Sequence, residues 1–478
     1  MKQQNKNFIF NVGYQLLMYL IPLLSAGYIS RVLGADGLGL FSYINSIATM
    51  FGMFSLLGIS NYGNREVAKI RDDRAALSEK FSSIYTLQLI LSVFVLLVYV
   101  ATVFVFPFEH KTIYFIQIIH FVSIACDVTW LFFGLEKFKI TLTRSFVVRL
   151  ISLVLVFLFV KSPDDVWLYT LITVASTLVS QLVMLVLSSK YVDFKVTSVK
   201  KAFTNFKSCL ILFVPVLAYN IYRIMDKTMI GAISTKAELA FYENAERLIN
   251  IPIMVIAALG TVMLPHMSHA IHNKTEDYKK TIRFSMKLAL IIACYSALGL
   301  ALVGKDLCVL VFGSEYSFSG VLLLPLSATI IASAWANVIR TQYLIPNSHD
   351  KIYVTSTIIG AVINLICNII FIRFFGAAGA CIGTVLAEFS IVFYQTYFVR
   401  HELEIKKYFI DFLISFIKAV LTIVVAFIPA LFIDNIYLRL GCQFFIAVAL
   451  FVALNFKFIF HEFLGIKRKS KNNINAES

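Results

Sequence analysis

About fourteen runs of roughly 20 or more predominantly apolar residues follow one another along the chain, and nothing else in the sequence constrains the fold so strongly. Their approximate limits are 9–31, 39–63, 81–106, 112–133, 140–160, 167–189, 208–233, 240–268, 283–303, 317–345, 352–373, 377–399, 409–432 and 437–461. Each is about twice the length of a membrane β-strand and lacks strict alternation, which excludes a barrel. With 59% hydrophobic and only 14% charged residues, the chain is far more apolar than a soluble protein, which carries about 25% charge. The expectation is an all-α polytopic membrane protein of about 14 transmembrane helices. The first run follows Lys2 and Lys6, is too long for a signal peptide and offers no small-residue cleavage site, so it stays as the first helix.

The net charge of +15 reports topology. If the N-terminus lies inside, the inner loops hold roughly 27 Lys and Arg in segments such as "REVAKIRDDR", "EKFK", "KKAFTNFK", "KTEDYKK", "EIKK" and "KRKSK", against about six outside. That asymmetry places both termini in the cytoplasm of a multi-pass cell-membrane protein and removes the case for a nucleic-acid partner. The seven cysteines lie mostly within spans without a C-x-x-C pair, so neither disulfides nor a metal site is indicated. No phosphate-binding G-x-x-x-x-G-K-[ST] loop occurs, and no cofactor is implied.

Spans 1–6 and 7–12 read as two copies of one design. "LIPLLSAGYISRVLGADGLGLFSY" (20–43) is echoed by "FVPVLAYNIYRIMDKTMIGAISTKAELAFY" (213–242), each with an early Pro, a short outer turn and a second helix opening on Phe and Tyr. "WLFFGLEKFKI" (130–140) and "QYLIPNSHDKIY" (342–353) are both tight inner turns, with Gly134 and Pro346 as breakers. The basic, polar stretch "SSKYVDFKVTSVKKAFTNFK" (188–207) reads as a linker. An even number of spans per copy gives a parallel repeat. The expected organisation is an N-lobe 1–195, a C-lobe 205–400, an appended helix pair 408–463 and a basic tail 464–478. Such an architecture transports by rocking one bundle against the other. A membrane-embedded enzyme would need a large loop bearing His, Asp or Arg constellations; here no loop exceeds about 20 residues and the eight His are scattered.

The eighth span opens on "YENAERLINIP" (242–252), three charges in five residues. Charge at the bilayer centre costs at least ~2.5 kcal/mol per residue, so such residues need partners, water or a role. They are not scattered. At 100° per residue, Glu243, Glu246, Arg247 and Asn250 share one face, and Tyr219, Tyr222, Arg223 and Asp226 share an arc of the seventh span. Further polar stripes are His120, Ser123 and Asp127; Thr141, Ser145, Arg149 and Ser152; Ser333, Asn337 and Arg340; and Asn11, Gln15 and Tyr19. Several helices thus offer a wet face. An Arg223–Glu246 or Asp226–Arg247 pair that merely ties two helices together competes with substrate contact. Arg149 lies roughly 13 Å deep, at 1.5 Å per residue, with Asp127 as its obvious partner. Lys418 can snorkel to the interface.

A partly cationic cavity lined by Arg149, Arg223, Arg247 and Arg340 suits phosphate, because the guanidinium fork matches its oxygens. Tyr219, Tyr222 and Asn250 suit sugar hydroxyls and stacking. Lipid-diphosphate-linked sugars satisfy both demands, though an anionic drug or a nucleotide sugar would as well.

The segments "YISRVLGADGLGLFSYINSI" (28–47), "DVTWLFFGLEKFKI" (127–140), "DKTMIG" with "AFYENAERLINIP", and "GAVINLICNIIFIRFFGAAGACIGTVLAE" (360–388) resemble those of bacterial Wzx-type oligosaccharide flippases. These form the polysaccharide-biosynthesis branch of the multidrug/oligosaccharidyl-lipid/polysaccharide exporter superfamily. The resemblance implies alternating access that moves an undecaprenyl-diphosphate oligosaccharide for capsule, O-antigen or another surface polysaccharide to the outer leaflet. It also implies polymerase and glycosyltransferase partners from the same pathway. Arg247 matches an arginine that contacts the diphosphate in related lipid II flippases. Those relatives carry an Arg-Asp pair in the first helix where this chain has Ser25 and Ala26, which speaks against lipid II. Teichoic-acid precursor export and multidrug export are the alternatives. Asp127, Asp226, Glu243, Glu246 and Glu388 are expected to pair with the arginines when the site is empty, and could also bind a coupling cation.

Overall fold

The computed structural model describes residues 2–195, 197–272 and 278–458, with the side chains of most of them. The side chains of Asn11, Gln15, Tyr19, Tyr219 and Tyr222, and the tail 464–478, lie outside that set. All described regular structure is helical. A single helical element, Lys2–Leu56, breaks at Gly34 (φ 68°, ψ 179°) into α1 (2–33) and α2 (35–56). Only glycine enters that region without strain, so "VLGADGLG" turns the chain with one residue. There follow α3 (Arg74–Val105), α4 (Lys111–Gly134), α5 (Phe138–Phe159), α6 (Val166–Ser188), α7 (Phe206–Ile233) and α8 (Lys236–His272). The second half comprises α9 (Tyr278–Phe312), α10 (Ser317–Ile339), α11 (Asp350–Phe375), α12 (Ala377–Val399), α13 (Ile405–Phe427) and α14 (Ile436–Lys457).

Among the described residues, eleven segments are long and apolar enough to cross a membrane; one of them, Ser25–Ile70, holds both arms of the Gly34 turn. With α7 and α8, of 28 and 37 residues, they make up the fourteen spans expected from the sequence. Boundaries shift where caps decide them. The third helix starts seven residues earlier than hydropathy indicates, because Asp73 accepts from the backbone N–H groups of Ala75 (2.9 Å) and Ala76 (3.1 Å).

One span is not a continuous helix. Within α4 the chain unwinds at Cys126–Val128, and Asp127 caps the restart by accepting from the Thr129 N–H at 2.9 Å. Gln88 of α3 closes the gap. Its amide donates to the carbonyls of Ile124 (2.8 Å) and Asp127 (2.9 Å), and its oxygen accepts from the Trp130 indole at 3.1 Å. Unpaired backbone groups cannot be left in hydrocarbon, so one buried glutamine makes the break tolerable. The restarted half, "WLFFG", packs on the short amphipathic helix Ile59–Ile70 that follows α2: any side chain at Gly63 would meet the Trp130 ring, and one at Gly134 would meet Val67 and the Asn64 carbonyl. Gly134 is thus required by this contact, and the sharp φ of the turn falls on Glu136 (57°), as it does on Ser348 (57°) in the echoing turn of the second half.

The stretch 188–207 is anchored along its length. Asn205 is buried and bonds Tyr62, Lys80 and Ser83 at 2.8–2.9 Å, while Asp193 pairs with Arg74 at 2.9 Å and Lys201 pairs with Glu79. A short helix, Val199–Phe203, forms within it.

Internal contacts divide the chain into two compact units, one of 1–244 with 357–383 and one of 245–356 with 384–478. The first unit takes in parts of α7, α8, α11 and α12 that the sequence repeat groups with the second lobe, because α7 and the start of α8 pack on α1 and α2. In the second unit α9 and α10 approach closely at Gly304 and Gly320; a Cβ added at Gly320 would overlap the Lys305 backbone. The helix α10 ends in a five-residue π turn, Arg340–Leu344, closed by the Ile345 N–H to Arg340 carbonyl bond at 2.9 Å.

Candidate functional site

In the first unit α1–α2 and α7–α8, the two opening helix pairs of the sequence repeat, are clasped at the end that carries the Gly34 turn. Side-chain bonds join them: Asn244 donates to Ser30 Oγ at 2.8 Å, Thr228 donates to Ser46 Oγ at 3.0 Å, and Ser42 donates to the Glu243 carboxylate. Backbones meet directly, since Gly39 lies against the Lys236 main chain and Gly231 against the Tyr43 ring. The Lys236 ammonium sits 3.3 Å from the centre of that ring. Glu238 in turn accepts from Ser234 Oγ (2.8 Å) and the Ala377 N–H (2.6 Å), capping α12 beside Gly376 (φ 54°). Glu243, read from the sequence as an arginine partner or cation ligand, is here bonded by Ser42.

Below the clasp lies a buried carboxylate. Asp226, 2% exposed, accepts from the Tyr242 hydroxyl (2.9 Å) and from Asn368 Nδ2 (2.5 Å), and Asn368 also donates to Asn364 Oδ1 at 3.2 Å. Asn364 and Asn368 are fully buried one turn apart on α11, and a side chain at Gly383 would strike Asn368 Oδ1. Asn368 Oδ1 and Asn364 Nδ2 find no hydrogen-bond partner among the described residues. An ionised carboxylate in such a place requires these donors, because burial without them is costly. The carboxamides escape the sequence stripes. Their signal was two lone asparagines four residues apart in an apolar run.

Asp127 does not pair with Arg149. Its carboxylate is turned to the Thr129 N–H, since the broken helix needs a cap, and Arg149 stands exposed on α5. An arginine that the sequence stripes do not include, Arg144, donates to Gln181 Oε1 (2.9 Å), the Ser180 carbonyl (3.1 Å) and Ser145 Oγ (3.0 Å), tying α5 to α6. Arg223 is partly exposed one turn before Asp226 on α7.

In the second unit Glu246, Arg247 and Asn250 are partly exposed on one face of α8. Glu388 accepts from Ser333 Oγ at 3.3 Å, joining α10 and α12. Arg340 heads the π turn with its guanidinium 5.5 Å from the centre of the Tyr353 ring; π turns of this kind recur at functional sites. No group of three or more potential metal ligands occurs among the described residues.

Residues 5–271 match the polysaccharide biosynthesis protein family. The chain is 26% identical over 394 residues to a Shigella dysenteriae protein described as "Putative O-antigen transporter", covering 79% of this chain and 95% of that one. It is 21% identical over 400 residues to an Escherichia coli (strain K12) protein of the same description, with 83% and 96% covered. The solved structure "Lipid II flippase MurJ, inward closed conformation" superposes with a TM-score of 0.74 over 95% of this chain and 99% of that one, at 17% identity. That likeness establishes the fold. The match over more than half of its 478 residues makes this multi-pass membrane protein a member of the polysaccharide biosynthesis protein family.

Proposed function

We propose that the chain is a flippase that carries an undecaprenyl-diphosphate-linked oligosaccharide repeat unit from the cytoplasmic to the outer leaflet by alternating access. The observation that carries this is the polar clasp between α1–α2 and α7–α8. An end held closed by side-chain hydrogen bonds and close glycine contacts can reopen there. The family match and the two relatives described as O-antigen transporters favour a glycan cargo.

In this mechanism the basic loops face the cytoplasm with both termini, and the clasped end faces outward. Two lobes, 1–195 and 205–400, rock against each other, with 408–463 and the tail 464–478 appended. The head group enters from the cytoplasm; Arg149, Arg223, Arg247 and Arg340 neutralise its diphosphate, and Asn250, Tyr219 and Tyr222 meet its sugars. Opening the clasp parts Ser42 from Glu243 and Ser30 from Asn244, and releases the head group. The Asp226 carboxylate, with an orphaned amide oxygen beside it, is the described group best suited to take up a coupling cation or proton; Glu246 and Glu388 are further candidates.

The test is transbilayer movement of a fluorescent undecaprenyl-diphosphate glycan by purified protein in proteoliposomes. Arg149→Ala and Arg247→Ala are each expected to slow it at least tenfold, the scale of one lost charge-assisted contact. Wild-type rates in both variants would refute the arginine assignment. Movement of lipid II or a teichoic-acid precursor alone would reassign the cargo, and efflux of a small cationic dye without glycan movement would make the chain a drug exporter.

A further inference from the structure

At the end of the first unit that carries the Gly34 turn, residues from four helix–helix turns line one cavity of about 850 Å³. These turns join α1 to α2, α3 to α4, α5 to α6 and α7 to α8. The volume falls within the ~300–1,000 Å³ of small-ligand pockets. Two of the turns are fixed by contacts of their own. Asp165 accepts from the N–H groups of Lys161 and Ser162, both at 2.8 Å, which closes the α5–α6 turn and leaves the adjacent Asp164 at the cavity wall. In the α3–α4 turn Phe108 stacks on Tyr114 with ring centres 4.7 Å apart, and His110 turns the chain at φ 56°, so Glu109 is set at the wall as well.

The lining has two chemical parts. Asp36, Glu109 and Asp164 bring exposed carboxylates from three separate turns, and Trp167, at the start of α6, is 47% exposed. The acids do not converge on one point, since no group of three or more potential metal ligands occurs among the described residues. They are spread as acceptors around the wall, which does not suit a single metal ion. Carboxylates repel a phosphate, and they make a poor seat for an acyl chain. An organic cation would meet the Lys236 ammonium, which lines the same cavity and already lies on the Tyr43 ring. A neutral polyhydroxyl ligand fits both parts. Its hydroxyls donate to carboxylate oxygens in charge-assisted bonds, and the C–H face of a pyranose packs on the flat indole.

We propose that this cavity binds a sugar ring of the glycan head group, with Trp167 as the stacking platform and Asp36, Glu109 and Asp164 as acceptors for its hydroxyls. The source of the sugar rests on the flippase reading, in which the clasped end faces outward. Cavity and clasp share two residues: Lys236, whose main chain Gly39 lies against, and Tyr43, whose ring Gly231 lies against. A head group leaving past the opened clasp is therefore delivered beside this cavity.

The experiment is isothermal titration calorimetry of the full chain in detergent, with the unlabelled head group of the glycan used in the flipping assay, freed from its lipid by mild acid. Tryptophan quenching by acrylamide is read in parallel. Of the three tryptophans, Trp130 and Trp335 are 2% and 8% exposed, so protection by the sugar reports on Trp167. Wild type is expected to bind saturably and to be protected. The Asp36→Asn/Glu109→Gln/Asp164→Asn variant and Trp167→Ala are each expected to raise Kd tenfold or more with Tm unchanged, since all four side chains are exposed. An unchanged Kd in both variants overturns the proposal, and so does binding without protection of Trp167. Binding abolished by a chelator overturns it too, because a metal ion would then hold the sugar. Displacement of the head group by tetraphenylphosphonium at a lower concentration assigns the cavity to organic cations instead. Flipping of the parent glycan without binding of its head group sinks the cavity site and leaves the flippase reading intact. Binding at these residues without flipping supports the sugar site and sinks the flippase reading.

Discussion

Gly39→Ala is the sharpest probe of the clasp. Gly39 faces the Lys236 main chain so closely that a methyl group there overlaps the carbonyl and stands 3.0 Å from Cα. These are backbone atoms at the start of a helix and cannot swing aside like a side-chain tip. The α2 and α8 backbones must separate, and the three bonds Ser30–Asn244, Ser42–Glu243 and Ser46–Thr228 lengthen with them. Two neutral hydrogen bonds at about 0.5–1.5 kcal/mol each and one to a carboxylate at about 1.5–3 kcal/mol give roughly 2.5–6 kcal/mol. Lost from the clasped state alone, that moves the equilibrium toward an open end by about two to four orders of magnitude. Alanine favours the helix over glycine, so α2 itself survives. The assay is reaction of an Ala240→Cys reporter, at a position fully buried beside the clasp, with a membrane-impermeant maleimide, compared with and without Gly39→Ala. Labelling is expected to rise from slow to rapid in the variant, with flipping slowed because the cycle stalls open at one end. Unchanged labelling and unchanged flipping would mean that the contact at Gly39 does not hold the end closed.

Gln88→Leu removes the bridge across the broken α4 and strands the Trp130 indole with two carbonyls; a loss of about 3 kcal/mol is expected as a lower Tm, and a Tm within error of wild type would refute the bridging role. Asp127→Ala deletes a cap worth about 1 kcal/mol, so Tm falls slightly while flipping persists, in contrast to Arg149→Ala; a flipping defect as deep as that of Arg149→Ala would restore Asp127 to the cavity. Asp226→Asn retains the fold, because Asn368 can turn its amide over, but is expected to slow flipping at least tenfold and to abolish its response to an imposed ion gradient. Tyr242→Phe, which keeps the carboxylate, should leave that gradient response in place, and its loss would place the tyrosine in the coupling step.

The number of spans is legible along the chain, because it depends on a property a helix carries by itself: enough apolar residues to cross a bilayer. The stripes on the seventh and eighth spans are legible for the same reason, since offsets of three and four fix a face. What those faces meet is not legible. Asp127 and Arg149 look like partners by depth, but a break in α4 claims the aspartate as a cap. Gln88 reads as a stray polar residue until the two halves of that helix are seen around it. The segment 188–207 has the composition of a loose linker, yet Asn205 and Asp193 are anchored on the third helix and its neighbours. The carboxamides around Asp226 come from a helix some 140 residues away. The sequence alone determines how many helices enter the membrane and which of their faces are too polar for lipid. Only the tertiary structure decides which of those faces pair, because inside a bilayer every polar group must find a partner, and the partner is chosen by proximity between helices distant in the chain.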